Sequence, residues 1–136
     1  MRKPITKDEA RRAAGELSRR FGVAEPRVLF LHRRLGCGRY YPPGWGGGPK
    51  GTISLCNRPD DVVLAHEFAH HLHELNMTRD DRHLEDWHGR GFYHWLRNTI
   101  AMMGLDGYPW EDEYENLKEW ATAAEAQAGA AGEMNV

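Results

Sequence analysis

The sequence predicts a single α+β domain, with one helix first, then a small, mainly antiparallel sheet of about three strands, and then further helices. Three observations support this prediction. A capped amphipathic segment opens the chain, short apolar or alternating segments occupy residues 27–56, and helical spacing of apolar residues dominates afterwards. A length of 136 residues suits one domain. We expect residues 1–120 to form it and the alanine-rich residues 121–136 to be a flexible tail.

The first helix is predicted from its two ends. Thr6 and Glu9 fit a capping box, in which each side chain satisfies a free backbone N–H group. Gly22 is placed to end the helix. Between these ends, apolar residues follow a helical stripe at Ala10, Ala13, Ala14, Leu17 and Phe21.

The predicted strands lie on both sides of a glycine-rich loop. Residues 27–32 are mostly apolar and residues 39–41 fit a second short strand. Residues 52–56 alternate polar and apolar side chains, which predicts a strand with one face in water. The loop at residues 42–51 contains five glycines and three prolines. Within it, Trp45 is a candidate substrate contact.

A histidine-rich helix is predicted to begin near residues 57–60, with Asn57 or a neighbour of Pro59 as its cap and with the acids Asp60 and Asp61 in its first turn. The stretch LAHEFAHHLHEL, residues 64–75, holds four histidines and two glutamates. Apolar side chains recur on one face of this helix, which we expect to pack in the core: Leu64, Phe68, Leu72 and Leu75.

Spacing along the helix and a neighbouring glutamate together favour two of the four histidines as metal ligands. Three of them, His66, His70 and His73, share the face opposite to the apolar one. The fourth, His71, lies near the rim of the core. A helix rises about 1.5 Å per residue, so one ion could take His66 with His70 or else His70 with His73, whereas His66 and His73 are about 10 Å apart. Glu67 favours the pair His66 and His70, because the three form HExxH, whose glutamate reaches a metal-bound water. His73 is then expected to support a ligand or to be solvated.

A catalytic zinc needs a third protein ligand. The extended motif HExxHxxGxxH is excluded, because His73 occupies the position of its glycine. His88 is favoured, since it lies on the same face as Phe92 in a helix predicted to run to about residue 103, with Asp86 as its cap. We expect His94 to be solvated. The downstream candidates for the third ligand are His83, Glu85, Asp86, His88 and His94.

The combination of HEFAH with HGRGF resembles the SprT-like metallopeptidases, whose pattern is HExxH followed by HGxxF or HGxxW. The similarity covers about residues 5–105. It implies a zincin-like fold, one zinc ion held by His66, His70 and His88, and peptide hydrolysis with Glu67 as the catalytic base. The sequence has neither the cysteine-rich zinc ribbon of many bacterial members nor the long DNA-binding extensions of the eukaryotic relatives, and this argues against a role in cleaving proteins crosslinked to DNA.

Other residues are candidates for parts of the same site. An extended substrate could pair with the strand at residues 53–55. An acidic run at residues 111–113 is predicted to start a final helix that ends near Trp120, and a glutamate from it could replace His88 as ligand, as in gluzincins. The tyrosines available to stabilise the oxyanion are Tyr93, Tyr108 and Tyr114.

Charge is distributed unevenly along the chain. Residues 1–58 hold 13 Lys and Arg against 4 Asp and Glu, whereas residues 59–136 hold 5 against 16. The halves either attract each other within the fold or present a basic face to nucleic acid or an acidic partner. The competing interpretation is therefore a non-catalytic, zinc-stabilised module that contacts DNA, or serves as a scaffold, through its basic N-terminal half.

The sequence also predicts a cytoplasmic protein that acts on a protein or peptide substrate and does not associate with a membrane. No apolar run approaches the roughly 20 residues needed to cross a bilayer, and no apolar stretch follows the first charges as in a secretory signal. Cys37 and Cys56 form no CxxC pair, so ordinary thiols are expected.

Overall fold

The computed structural model of the chain describes residues 3–35, 38–77 and 87–134. Within these residues the fold is α+β, with four α-helices and a small three-stranded mixed sheet. In chain order the elements are α1 (Lys7–Phe21), β1 (Arg27–Leu35), β2 (Gly38–Tyr41), β3 (Thr52–Asn57), α2 (Asp61–Asn76), α3 (Arg90–Met103), a short 3-10 helix (Trp110–Asp112) and α4 (Glu115–Met134).

The sheet has the order β1-β3-β2, so the last strand along the chain lies in the middle. β3 runs parallel to β1, with Arg27 opposite Thr52, and antiparallel to β2, with Tyr41 opposite Thr52. The predicted antiparallel pairing is therefore correct for one of the two pairs, because β3 inserts between the two earlier strands. The prediction that residues 53–55 offer a free sheet edge to a substrate is wrong, since β3 has a strand on each side.

β3 is buried on both faces, contrary to the predicted wet face. Thr52 and Ser54, the polar residues of the alternating pattern, are only 2% and 6% exposed. The glycine-rich loop covers this side of the strand, where the Thr52 hydroxyl donates a hydrogen bond to the Gly47 carbonyl at 2.9 Å. Alternation indicates a wet face only when no other segment folds over it.

The helices that flank the sheet begin as predicted. In α1, the Glu9 N–H donates to the Thr6 hydroxyl oxygen at 3.1 Å and the Thr6 N–H donates to the Glu9 carboxylate at 3.0 Å. Gly22 ends α1 in the left-handed conformation, at φ 68°. In α2, the Asp60 side chain accepts a hydrogen bond from the Val63 N–H at 2.9 Å. A side-chain cap of this kind stabilises a helix by about 1 kcal/mol.

α2 lies between the two hydrophobic clusters of the described residues. Its predicted core face is buried with α1 and the sheet, through Leu64, Phe68 and Leu72. Leu75 is the exception, since it lies in the last turn and is 37% exposed. On another side of α2, the small residues Ala65 and Ala69 are fully buried in the second cluster, together with side chains of α3 and α4.

The C-terminal helices differ from prediction at their ends. α3 packs in the core through the face that carries Phe92, Leu96 and Thr99, all of which are fully buried. The predicted final helix is wrong at both ends, because Glu113 has an extended backbone and α4 continues past Trp120 to Met134. Alanine has the highest helix propensity, which favours this continuation. Flexibility of residues 121–136 stays a prediction.

Some predictions concern residues outside the described ranges. These residues are the candidate ligands His83, Glu85 and Asp86, together with Cys37. The prediction that Asp86 caps α3 is wrong, because Gly89 is the N-cap residue and His88 therefore precedes the helix. No helix in the described part of the chain is long and apolar enough to cross a membrane.

Candidate metal centre

The structure brings together the three histidines that the sequence predicted as ligands. His66, His70 and His88 each offer a ring nitrogen, and these atoms all lie within 4.8 Å of one another. His66 and His70 are one turn apart on α2, whereas His88 lies in the turn just before α3. Ala65 and Ala69 are the small, buried residues between the helices, and they let α3 pack closely enough to present His88 to α2.

A phenylalanine forms the floor of this site. The ring of Phe92, which is fully buried, contacts all three histidine rings, with centroid distances of 4.9 Å to His66, 4.2 Å to His70 and 5.1 Å to His88. A buried aromatic floor fixes the three imidazoles and keeps water away from one side of them. This contact gives the aromatic residue of HGRGF a physical role at the site.

The donor set fits a divalent metal ion such as zinc. Burial, together with the neighbouring histidines, lowers the pKa of His70 to about 2 and that of His88 to about 4, so both imidazoles are neutral near pH 7. Their Nε2 atoms are 3.1 Å apart, close to the roughly 3.3 Å between two nitrogens that bind one tetrahedral zinc. Neutral imidazoles are the form that binds a metal. The three histidines therefore lie close enough to hold one ion.

His66 is oriented by a carboxylate that the sequence did not single out for this purpose. His66 Nδ1–H donates to Glu113 Oε1 at 2.9 Å, and the Tyr108 hydroxyl donates to the same oxygen at 2.7 Å. Burial would raise the pKa of Glu113, but these hydrogen bonds and the His66 charge outweigh it and hold the pKa below its usual value. Burial likewise lowers the pKa of His66, and Glu113 more than compensates, so the pKa is raised.

Glu113 therefore supports a ligand and does not replace one. The group of side chains that could hold a metal ion within the described residues contains the three histidines and no glutamate, so the gluzincin-like alternative to His88 is not favoured. His66 and Glu113 are 47 positions apart, so no local pattern in the sequence could predict this contact. The acidic run at residues 111–113 pointed only to a helix start.

His88 and His70 are held in other ways. The Asn116 side chain donates a hydrogen bond to the His88 carbonyl at 2.6 Å, and the ring of Tyr114 stacks on the His88 ring at 4.0 Å. Nδ1 of His70 is buried and has no hydrogen-bond partner among the described residues. Its ring is fixed by packing, on Phe92 and against Trp87 at a centroid distance of 5.2 Å.

Glu67 lies next to His66 and is 7% exposed. Its side chain packs against the start of β2, where a Cβ atom on Gly38 would lie 2.9 Å from Glu67 Cγ and 3.3 Å from its Oε2. Burial raises the pKa of Glu67 to about 7; the charges of His66 and Arg39 oppose this shift and that of Glu113 adds to it. Glu67 can thus both accept and release a proton near neutral pH.

The predicted substrate or oxyanion contacts differ in how exposed they are to solvent. Trp45 is 69% exposed in the glycine-rich loop. Tyr93 is buried in the second cluster, where its hydroxyl accepts a hydrogen bond from Arg97 at 2.9 Å. Tyr108 is 7% exposed and its hydroxyl is bonded to Glu113. Of the three tyrosines considered, only Tyr114 is exposed, at 55%, and it lies beside a candidate ligand.

The remaining histidines of α2 are more buried than expected. His71 is fully buried, not at the core rim, and its ring nitrogens lie 2.9 Å from the Tyr40 hydroxyl and 2.7 Å from the Ala24 carbonyl. His73 is 5% exposed, so the alternative that it is solvated is wrong, and the alternative that it supports a ligand stays a prediction. Both corrections follow from the burial of α2 on more than one side. His94 is exposed, as predicted.

Comparisons of the chain with protein-family models, curated proteins and solved structures find no match. Inference about function therefore rests on the residues of the site and their geometry.

Proposed function

We propose that this protein is a zinc-dependent metallopeptidase with a zincin-like fold, of the kind that the HEFAH and HGRGF motifs resemble. One observation carries the proposal: His88, from a separate segment, meets His66 and His70 of HExxH within the reach of a single ion. Three protein ligands leave a tetrahedral zinc one open position, which is the arrangement of catalytic sites and not of closed structural ones.

Glu67 is the proposed general base. Zinc, when bound, lowers the pKa of a coordinated water towards about 7 and polarises the substrate carbonyl. Glu67 would take a proton from the attacking water and pass it to the leaving amine. Its burial supports this role, because a carboxylate with a pKa of about 7 accepts a proton readily and remains partly ionised at neutral pH.

The edge of the sheet next to Glu67 offers a place for an extended peptide. Among the described residues β2 pairs with β3 alone, and Gly38, its first residue, lies against Glu67. A substrate strand that adds to the free edge of β2 would bring a peptide bond close to this carboxylate. The sequence suggested β3 for this role. We propose β2 in its place, because β3 lies in the middle of the sheet.

Tyr114 is the proposed oxyanion donor. Its ring stacks on His88 and more than half of its surface is exposed. The hydroxyl groups of Tyr93 and Tyr108 are already hydrogen-bonded within the protein, which makes them less suitable. A phenol near the developing negative charge would stabilise it in the transition state.

The substitution Glu67→Gln tests the proposal. We expect it to abolish cleavage of unfolded casein and of a mixed peptide library, while the zinc content stays unchanged, because Gln cannot accept the proton. Glu111→Gln, at an exposed position, is the matched control and should cleave normally. Cleavage by Glu67→Gln at the wild-type rate would disprove the role of Glu67.

A further inference from the structure

The segment from Tyr108 to Asn116, here called the clasp segment, contacts two of the three candidate ligands from outside the HExxH and HGRGF motifs. Its Glu113 contacts His66, and its Tyr114 and Asn116 contact His88. We propose that the clasp segment sets the metal affinity of the centre, with Glu113, held by Tyr108, as the positioning residue for His66.

The hydrogen-bond chain from Tyr108 to His66 is buried and directional. The Tyr108 hydroxyl and His66 Nδ1–H both donate to Oε1 of Glu113, at 2.7 Å and 2.9 Å. The side chains of His66 and Glu113 are only 17% and 9% exposed. A carboxylate this buried needs hydrogen-bond donors to offset its lost hydration, so Tyr108 fixes Glu113 in the position from which it contacts His66.

This contact determines what His66 can present to a metal. With the proton on Nδ1 and donated to Glu113, the lone pair of the neutral ring is on Nε2. A carboxylate in this position also limits rotation of the ring and increases the basicity of the ligand. Glu113 lies on the Nδ1 side of His66, so it acts through the ring and not as a fourth ligand. His70 has no such support from the described residues, since its buried Nδ1 lacks a partner there.

The same segment restrains His88. Asn116 holds the His88 carbonyl at 2.6 Å, and Tyr114 covers one face of its ring at 4.0 Å. His66 and His88 come from different elements, and their relative position decides whether one ion can reach both. Because the clasp segment contacts both residues, it reduces the freedom that the free site would lose on binding a metal.

Zinc affinity, measured on the full chain by competition with a chromophoric chelator, tests this inference. We expect Glu113→Ala to weaken affinity about 10- to 100-fold, the usual effect of losing a residue that orients a ligand. Glu113→Gln should recover part of the loss, because its amide oxygen still accepts from His66. Tyr108→Phe should weaken affinity less than Glu113→Ala does. Glu111→Ala, an exposed acid two residues away, is the matched control and should bind as the wild type does.

Two further measurements separate positioning from other roles. The absorption spectrum of the Co²⁺-substituted protein should be the same for the wild type and Glu113→Gln, because the ligands are unchanged; a changed ligand-field spectrum would make Glu113 a ligand and overturn the inference. The thermal midpoint of the metal-free protein should be similar in Glu113→Ala and Glu111→Ala. If Glu113→Ala binds zinc as tightly as Glu111→Ala, or loses affinity only as far as it loses stability, the inference is wrong.

None of these measurements uses proteolysis, so the inference and the proposed function can fail separately. A protein whose zinc affinity depends on Glu113 but which cleaves no peptide would support the clasp segment and remove the peptidase proposal. A protein that cleaves peptides but whose zinc affinity does not change in Glu113→Ala would support the peptidase proposal and overturn the inference about the clasp segment.

Discussion

At the scale of a single residue, the burial of Glu67 and its proposed role favour different protonation states. As the proposed general base, Glu67 must be ionised to accept a proton, yet it is 7% exposed and packed against β2. Burial raises its pKa from 4.5 to about 7. The energetic consequence can be measured without any substrate, because a shifted pKa links folding stability to pH.

The pH dependence of the metal-free protein should change in Glu67→Gln. The folded state favours protonated Glu67, so its stabilising contribution is complete below pH 4.5 and is lost as the pH rises through about 7. Gln resembles the protonated acid at every pH. We therefore expect the two free energies of unfolding to agree near pH 4.5, and the mutant to be more stable by about 3 kcal/mol at pH 8.

Urea unfolding in the presence of a chelator, at several pH values between 4.5 and 8.5, measures this difference. Protonation of His70 and His88 below pH 6.5 destabilises both proteins alike and cancels in the comparison. Glu111→Gln, which removes an exposed carboxylate, should follow the wild-type curve. If the free energies of unfolding of the wild type and Glu67→Gln differ by the same amount at every pH in this range, burial does not raise the pKa of Glu67.

At the scale of elements, α2 illustrates what local patterns can predict. Its start near Asp60, the burial of Leu64, Phe68 and Leu72 on one face, and the separation of His66 and His70 by one turn were predicted from local patterns, and the structure confirms them. The cap is Asp60 itself, which the sequence placed in the first turn. These features depend on neighbours within a few residues, for which helical geometry is fixed. The pairing of His88 with them was a choice among five downstream candidates that spacing alone did not decide.

The sheet illustrates what local patterns could not predict. The alternation at residues 52–56 is compatible with an edge strand or a central strand, and only the insertion of β3 between β1 and β2 decides between them. The contact of Glu113 with His66 is of the same kind, because it joins residues 47 positions apart. Neither feature leaves a periodic or capping signal in the sequence.

Gly38 connects the sheet to Glu67, the proposed general base, and gives a prediction at this scale. An added Cβ would lie 2.9 Å from both Glu67 Cγ and Val63 Cγ1, so Gly38→Ala must displace the side chains of Glu67 and Val63. We expect kcat/KM to fall by about 10- to 100-fold, because misplacement of a catalytic group by about 1 Å has effects of this size. Zinc affinity should be unchanged, since the three histidines are not displaced.

A matched glycine in α1 controls for this substitution. Gly15→Ala places a Cβ 3.0 Å from Oε1 of the Glu25 side chain, a flexible group away from the candidate centre, and should retain full activity. Peptidase assays and zinc titrations on both variants make the comparison. Equal activity of the two variants would mean that the contact between Gly38 and Glu67 does not position the base.

At the scale of the whole molecule, the candidate centre lies where α2 meets α3 and the clasp segment. The apolar face of α2 packs with α1 and the sheet, and its histidine-bearing side contacts the C-terminal part of the chain. Residues at positions 66, 88 and 113 therefore meet only in the folded protein. Metal binding should accordingly be coupled to folding, as in other sites built from distant segments.

The basic N-terminal half gives weaker support for a nucleic-acid contact than its charge suggested. Arg19 and Arg20 both pair with Glu16 on the same helix. Arg11 donates to the Val28 carbonyl and lies 5.6 Å from the centroid of the Phe30 ring. These side chains are partly engaged within the protein, and the DNA contact stays a prediction.

Zinc binding by His88→Ala tests most directly whether two separate segments hold one catalytic metal. Equilibrium dialysis and chelator competition should show one zinc ion per wild-type chain, and a larger loss of affinity in His88→Ala than in Glu113→Ala, because a ligand is removed and not its support. His94→Ala, which removes an exposed histidine six positions later, should bind zinc as the wild type does. Wild-type affinity in His88→Ala would contradict the proposed centre.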